Sequence, residues 1–163
     1  MSAPLRVVFV CTGNICRSPS AEAVLKQRLH EAGLSEAVQV SSAGMAGWHV
    51  GKDADPRSLK ALRARGYDLA HSARQVRKAW LGEHDLWIAM DSGHLMELRS
   101  LLPGADVHLL REWDPRGNGN VPDPYYDGEE AFEEVLDIIE RSCAGLAAHL
   151  AERVAAGAAT PPS

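Results

Sequence analysis

The sequence predicts a single α/β domain built as a doubly wound, four-stranded parallel sheet with helices on both faces. Short apolar runs rich in β-branched residues alternate with amphipathic segments of helical length, which is typical of consecutive βαβ units. The chain of 163 residues is the length expected of one such domain. The first apolar run also leads through a glycine-bearing loop into a helix, an arrangement that favours anion binding.

The strands and helices follow from the apolar periodicity and from the capping residues. Strands are predicted at residues 5–10, 38–44, 86–89 and 107–110, each a short apolar run. Ser18 can cap a first helix that starts at Pro19 and stops before Gly33. Further helices are predicted after Asp55, after a capping box formed by Ser72 and Gln75, after Asp91 or Ser92, and from about Glu129.

A long loop and the chain end complete this prediction. Residues 111–128 are rich in Gly, Pro, Asn and Asp, and a connection of that length in a compact domain is usually functional or disordered. The aromatic and acidic residues of this segment favour a function. We place the domain at residues 1–154. Residues 155–163, which are small residues and prolines, are predicted to form a flexible tail.

The composition excludes several classes of protein. The net charge of −5 gives no general attraction to nucleic acid or to an anionic membrane. The N-terminus does not resemble a signal peptide, and the apolar stretches are too short to span a bilayer. Three cysteines, an odd number, disfavour a secreted disulfide scaffold. We therefore expect a cytoplasmic protein with reduced thiols, acting as a monomer.

The loop between the first strand and the first helix carries two reactive side chains. Cys11 follows the strand, and a thiol among backbone N–H groups, a helix N-terminus and a guanidinium is expected to exist as the nucleophilic thiolate at neutral pH. Arg17 closes the loop, and its planar fork can hold two oxygens of a tetrahedral oxyanion. The pattern predicts a phosphate-binding loop after strand 1 and phosphoryl transfer to sulfur.

These residues resemble a known family. Cys-x5-Arg-Ser lies within Val-Cys-Thr-Gly-Asn-Ile-Cys-Arg-Ser-Pro at residues 10–19, and Asp-Pro-Tyr-Tyr follows at residues 123–126. Both motifs are similar to those of the low-molecular-weight protein tyrosine phosphatases of bacterial type, and the resemblance extends over nearly the whole chain. It implies a signalling enzyme that hydrolyses phosphotyrosine in proteins through a cysteinyl-phosphate intermediate.

The resemblance also implies roles for individual residues. Asp123 is expected to protonate the leaving phenolic oxygen and then to activate water, with Asp114 as the second candidate. Phosphate is expected to contact the loop residues Thr12, Gly13, Asn14, Ile15, Cys16 and Ser18. The Ser18 hydroxyl is also expected to donate to the thiolate. We expect no metal or other cofactor, because Arg17 and the backbone amides supply the positive charge.

One polar residue of the loop and several residues outside it are expected to support the loop. Asn14, Ser42 and His71 resemble the hydrogen-bonded residues that brace the phosphate loop in this family, although each would also fit a turn or surface position. Trp48 and Tyr125 are expected to form walls of the pocket against the substrate ring, with ordinary packing as the alternative.

The sequence singles out two further positions, Cys16 and His94. Cys16 either packs in the loop or forms a reversible disulfide with Cys11 that protects Cys11 from irreversible oxidation. His94 follows Asp91 by three residues, where several members of the family have Asn.

Three alternative functions remain at this point. A protein arginine phosphatase has a similar loop but typically carries Thr where Ile15 stands, and an apolar Ile suits an aromatic ring better. An arsenate reductase needs two further cysteines downstream of the loop, whereas the span from Ser18 to Cys143 contains none. A non-catalytic phosphate-binding module would need neither the thiol nor the acid. We therefore favour hydrolysis of phosphotyrosine.

Overall fold

A four-stranded parallel sheet forms the centre of the protein. The computed structural model describes residues 3–159. The strands are β1 (Leu5–Cys11), β2 (Val38–Gly44), β3 (Leu86–Ala89) and β4 (Val107–Leu109). Their order is β2-β1-β3-β4, and β1 pairs with β2 from Leu5 opposite Val38 to Cys11 opposite Gly44. This confirms the predicted fold class, and it places Cys11 at the carboxyl end of a central strand.

Helices cover both faces of this sheet. The α-helices are α1 (Arg17–Glu31), α2 (Pro56–Ala64), α3 (Ser92–Leu101) and α4 (Glu129–Ala159). On one face, Val7 and Phe9 of β1 pack in a core to which α1, α2 and α4 contribute. On the other face, Val8 and Val10 pack with Trp87 of β3 and with apolar residues of α3. Alternate residues of β1 therefore face two separate cores, which explains its unbroken apolar sequence.

The start of α1 differs from the prediction. The helix begins at Arg17 rather than at Pro19, and Cys16 occupies the capping position that the sequence assigned to Ser18. The Ser18 hydroxyl lies 2.9 Å from the Cys11 sulfur and accepts a hydrogen bond from Asn14. It therefore serves the loop instead of the helix terminus.

The predicted helix after Ser72 is also wrong. Residues 71–77 form no helix: Gln75 makes an isolated parallel bridge to Gly44, and a 3₁₀-helix follows at Lys78–Trp80. The Gly44 amide donates to the Arg74 carbonyl at 2.8 Å, and the Val76 amide donates to the Gly44 carbonyl at 2.9 Å. Backbone groups of this segment therefore form hydrogen bonds with the edge of β2 instead of with one another in a helix. A second 3₁₀-helix, Leu110–Trp113, follows β4.

Helix α4 is longer than the sequence indicates. It continues to Ala159, past residue 154, at which we placed the end of the domain. The alanines of this stretch have high helix propensity, so the predicted tail is helical as far as residue 159. The rest of that tail, residues 160–163, lies outside the described residues. Within the described range, the helices are all too short or too polar to cross a membrane.

Helix α4 approaches the second 3₁₀-helix closely at Gly145. A Cβ atom added to Gly145 would overlap the Trp113 carbonyl oxygen, because the two atoms would lie much closer than the sum of their van der Waals radii. Gly157, in the same helix, has open space around the corresponding position. The two glycines therefore separate the effect of this close contact from the effect of helix propensity.

We predict that Gly145→Ala destabilises the protein by about 1–3 kcal/mol, the usual cost of overpacking a well-packed contact. Gly157→Ala is the matched control and is expected to stabilise the helix slightly, because alanine has the higher helix propensity. Urea unfolding followed by circular dichroism measures both free energies. Equal effects of the two substitutions would contradict the close packing at Gly145.

Candidate active site

A pocket of about 250 Å³ opens at the carboxyl end of β1. Three separate parts of the chain line it: the loop from Cys11 to Arg17, the pair Trp48 and His49, and the segment 123–126. Cys11, Arg17 and Asp123, which the sequence singled out, therefore meet at one site. Asp123 is separated from the loop by more than half of the chain, so the fold alone brings these residues together.

The loop after β1 has a tightly wound backbone. Asn14 has a positive φ of 57°, the left-handed conformation that Asn adopts more readily than most residues. The end of β2 packs directly against this loop. A Cβ atom on Gly44 would lie 2.7 Å from the Thr12 carbonyl oxygen and 3.0 Å from the Asn14 amide nitrogen. Glycine at position 44 is therefore required for the loop to sit on the strand end.

A hydrogen-bond network holds the Cys11 sulfur from beneath. The Asn14 side-chain amide donates to the hydroxyls of Ser18 at 2.9 Å and Ser42 at 3.0 Å. Because Ser18 accepts this bond, its own proton can point to the Cys11 sulfur, 2.9 Å away. His71 Nε2 lies 2.6 Å from the Asn14 carbonyl oxygen. The structure thus brings together all the bracing residues that the sequence suggested.

Three further residues of this network, Glu22, Lys26 and Arg74, were not found from the sequence. The Ser42 hydroxyl donates to the buried carboxylate of Glu22 at 2.6 Å, and Lys26 pairs with the other Glu22 oxygen at 2.6 Å. The Arg74 amide donates to the Asn14 side-chain oxygen at 2.9 Å. In the sequence, Glu22 and Lys26 resemble an ordinary exposed i, i+4 pair, so the sequence carried no signal of the role of Glu22.

The Arg17 guanidinium is buried and held in place by neighbours. Its side chain is 4% exposed, and Nη1 donates to Asp91 Oδ2 at 2.8 Å and to the Val121 carbonyl at 2.9 Å. Nη2 lies 3.6 Å from Asp123 Oδ2. Burial alone would raise the pKa of Asp91, but hydrogen bonds from the His94 amide and from Arg17 hold it below its usual range. Asp91 is therefore a charged anchor for Arg17 at neutral pH.

His94 connects the same anchor to the loop. Its Nε2 lies 2.8 Å from Thr12 Oγ1, and its Nδ1 lies 3.2 Å from Asp91 Oδ1. Burial lowers the pKa of His94 to about 4, so the ring is neutral at pH 7. The sequence marked His94 only as a departure from the family pattern, and its contact with Thr12 became visible in the fold.

The two candidate acids occupy different environments. Asp123 lines the pocket with its side chain 47% exposed, and its Oδ1 accepts a hydrogen bond from the Tyr125 amide at 3.1 Å. The Asp114 side chain is fully buried, and both Arg111 and Arg141 pair with it. Asp114 does not line the pocket, so a proton-transfer role fits Asp123 alone of the two.

Aromatic side chains surround the mouth of the pocket. Trp48 is 74% exposed and Tyr126 is 92% exposed, and both line the opening with Tyr125. The Tyr125 and Tyr126 rings meet edge to face, with centroids 4.9 Å apart. Ile15 and His49 complete the lining. These surfaces are suited to a flat apolar group bound above the loop.

The cysteines differ in their surroundings. Cys16 also lines the pocket, and burial, followed by the negative charge of Asp55, raises the pKa of its thiol to about 12. Cys143 is fully buried in α4, away from the pocket. Among residues 3–159, which contain all three cysteines, no disulfide is formed and no side-chain cluster suited to a metal ion occurs. A reversible disulfide between Cys11 and Cys16 stays a prediction.

The doubly wound sheet and a pocket built on an anion-binding loop are those of an α/β phosphatase. The family profile described as low molecular weight phosphotyrosine protein phosphatase matches residues 6–156. The low molecular weight protein-tyrosine-phosphatase of Streptomyces coelicolor is 50% identical over 161 residues, which cover 94% of this chain and 98% of that protein. The chain therefore belongs to the low-molecular-weight protein-tyrosine-phosphatase family, whose members are phosphoric monoester hydrolases.

Solved structures give the same result. A protein tyrosine phosphatase from Entamoeba histolytica with Hepes in its active site is 36% identical, with a TM-score of 0.87 over 91% of this chain and 97% of that one. An arginine phosphatase variant with a phosphorylated active-site serine is 29% identical, with a TM-score of 0.84 over 92% of this chain and 99% of that one. The fold is thus shared by phosphatases named for two different phosphorylated residues.

We predict that His94 makes the stability of the protein depend on pH. The unfolded chain binds a proton at the ordinary histidine value of 6.5, whereas the folded protein binds it only near pH 4. Because the unfolded state gains the proton first, stability falls as pH decreases from 6.5 to 4, by about 2–3 kcal/mol from this residue. Asp91, Arg17 and Asp123 surround the ring and remain present in His94→Asn.

Urea unfolding of the parent and of His94→Asn between pH 7 and pH 4 tests this expectation. As the pH falls, the unfolding free energy of the parent should decrease more than that of His94→Asn. A difference that stays constant across this range would show that the ring is not held neutral by burial.

Proposed function

We propose that this protein hydrolyses phosphotyrosine in phosphorylated proteins through a cysteinyl-phosphate intermediate. The observation that carries this proposal is the single pocket that contains Cys11, Arg17 and Asp123 within a rim of aromatic rings. A nucleophile, a holder of phosphate oxygens and a proton donor are the groups that this reaction requires. The family membership and the names of the relatives support the same activity.

The first step transfers the phosphoryl group to sulfur. The Cys11 thiolate attacks phosphorus in line while the bond between phosphorus and the phenolic oxygen breaks. Arg17 and the N–H groups of the loop hold the equatorial oxygens, and their positions are fixed before the substrate arrives. Asp123 gives its proton to the departing phenolic oxygen, so that the dephosphorylated tyrosine leaves in its neutral form. The Ser18 hydroxyl stabilises the sulfur through its contact at 2.9 Å.

The second step releases phosphate. Asp123, now a carboxylate, takes a proton from a water molecule as that water attacks the phosphorus of the phosphocysteine. The sulfur leaves as a thiolate, to which the Ser18 hydroxyl donates, and inorganic phosphate departs. Thr12, Gly13, Asn14, Ile15 and Cys16 belong to the loop that surrounds the phosphate in both steps. In the arginine phosphatase variant, the serine that replaces the active-site cysteine carries phosphate. This supports Cys11 as the phosphate acceptor in the present protein.

The choice of tyrosine over arginine rests on the walls of the pocket. Trp48 and Tyr125 present ring surfaces, and Ile15 adds an apolar contact at the opening. A phenyl ring can stack against such surfaces, whereas a charged guanidinium group has no carboxylate here except that of Asp123 among the described lining residues. Turnover of phosphotyrosine above phosphoarginine is therefore expected in a direct comparison.

The setting of the protein is part of this proposal. Phosphotyrosine-containing proteins as substrates give the enzyme a role in signalling. The three reduced cysteines support a cytoplasmic location, in which thiols stay reduced. A monomer is sufficient for the chemistry, since one chain supplies every group used in the two steps. Neither step calls on a metal ion or an organic cofactor.

We predict that Cys11→Ser lowers the turnover of p-nitrophenyl phosphate to less than about one-thousandth, because removing a nucleophile commonly costs three or more orders of magnitude. The variant should still bind inorganic phosphate, since Arg17 and the loop amides remain. Steady-state kinetics in the presence of a chelator and phosphate binding by calorimetry measure the two properties. Substantial turnover by the variant would reject Cys11 as the nucleophile.

We predict a selective effect for Asp123→Ala. Loss of a general acid costs about 10²–10⁴-fold when the leaving group needs a proton. The variant should therefore lose far more kcat/KM with phosphotyrosine than with p-nitrophenyl phosphate, whose leaving group departs readily as an anion. Asp114→Asn is the control for the second candidate acid, and it should show equal effects on both substrates. An equal loss on both substrates in Asp123→Ala would remove Asp123 from the acid role.

A further inference from the structure

Arg57 lies between the phosphate-binding loop and the segment that carries Asp123. It is in the first turn of α2, next to the start of α4, and it does not line the pocket. Neither the sequence motifs nor the proposed reaction gives it a role. Its contacts nevertheless reach both sides of the active site.

On the first side, Arg57 is fixed to the phosphate-binding loop through Asp55. The Asp55 amide donates to the Ile15 carbonyl at 2.8 Å, which attaches Asp55 to that loop. The Asp55 carboxylate accepts from Arg57 Nε at 3.1 Å and from Nη2 at 2.9 Å. The hydrogen bonds from Arg57 hold the pKa of Asp55 below its usual range despite burial, so the pair is charged. Two parallel bonds of this kind fix the plane of the guanidinium.

On the second side, the same guanidinium holds the segment that contains Asp123. Its central carbon lies 5.4 Å from the centroid of the Tyr125 ring and 4.6 Å from that of Phe132, both within cation–π range. Its Nη1 donates to the Asp127 carbonyl at 3.4 Å. The Tyr125 amide in turn donates to the Asp123 carboxylate at 3.1 Å. Arg57 therefore contacts the residue whose backbone orients the acid.

We propose that Arg57 is a positioning residue for proton donation by Asp123. It connects the loop that holds phosphate to the segment that holds the acid, so that the carboxyl lies at the distance the leaving oxygen requires. This inference rests on the proposed function. Because Arg57 is not among the described residues that line the pocket, its removal should disturb protonation and leave phosphate binding intact.

Arginine is needed for this role because one planar group makes all these contacts. The fork binds the Asp55 carboxylate, a further N–H reaches the Asp127 carbonyl, and the central carbon of the group lies over the Tyr125 ring. Lysine would keep the charge but could not make the parallel bonds and the ring contact together. Arg57→Lys is therefore an informative variant that preserves charge.

The experiment compares kcat/KM for phosphotyrosine and for p-nitrophenyl phosphate in Arg57→Lys and Arg57→Ala. We expect a loss of about tenfold or more with phosphotyrosine and of no more than about twofold with p-nitrophenyl phosphate, since displacement of a catalytic group by about 1 Å can cost 10²-fold. Inhibition by inorganic phosphate should stay within about twofold of the parent. Lys60→Ala is the matched control: it lies in the same helix and forms an exposed ion pair with Glu129, whereas the contacts with Tyr125 and Asp55 described above are made by Arg57.

The outcomes separate this inference from the proposed function. If Asp123→Ala discriminates between the two substrates and both Arg57 variants do not, the positioning role is wrong and the function stands. If Asp123→Ala does not discriminate, the acid assignment itself fails. Equal losses on both substrates in Arg57→Lys, or a matching loss of phosphate inhibition, indicate a merely structural role and overturn the inference. Thermal unfolding confirms that each variant is folded, and Arg57→Lys decides the question if Arg57→Ala does not fold.

Discussion

The hydrogen bond between Ser18 and the Cys11 sulfur is the interaction on which the site depends. Attack on phosphorus needs the sulfur held in place among fixed donors at the end of β1, and the Ser18 hydroxyl is one of them. Asn14 donates to the Ser18 hydroxyl, which leaves the Ser18 proton available to the sulfur, and it also donates to Ser42, while α1 begins at Arg17 directly after the loop. The closely wound backbone and the packing of Gly44 against it follow from this requirement.

The remaining groups of the site are held by residues from other parts of the chain. Asp91 at the start of α3 anchors Arg17, and His94 links that anchor to Thr12. Arg57 connects the loop to the segment of Asp123 through Asp55 and Tyr125. Groups fixed in this way need little reorganisation when charge moves from the phosphate ester to the leaving oxygen. The pocket can therefore remain small and still combine a nucleophile, an anion holder and an acid.

Local patterns predicted the parts of this protein that depend on neighbouring residues in the chain. The apolar runs gave the four strands, and the short motif around Cys11 and Arg17 gave the loop and its chemistry. Long-range contacts were not predictable in this way: Ser72 and Gln75 match a capping box, but the open edge of β2 binds this segment instead. Ser18 likewise fits a helix cap in the sequence, but its hydroxyl contacts the Cys11 sulfur instead. Glu22 and His94 became visible only when the fold brought them to Ser42 and Thr12.

The central claim is that phosphate passes through the sulfur of Cys11. Rapid quenching of the enzyme during turnover of an aryl phosphate, followed by mass spectrometry of its peptides under acidic conditions, tests this most directly. The account predicts a phosphate group on Cys11 that appears within the first turnover and disappears as substrate is exhausted. Phosphate on another residue, or turnover with no phosphorylated enzyme at any time, would contradict it.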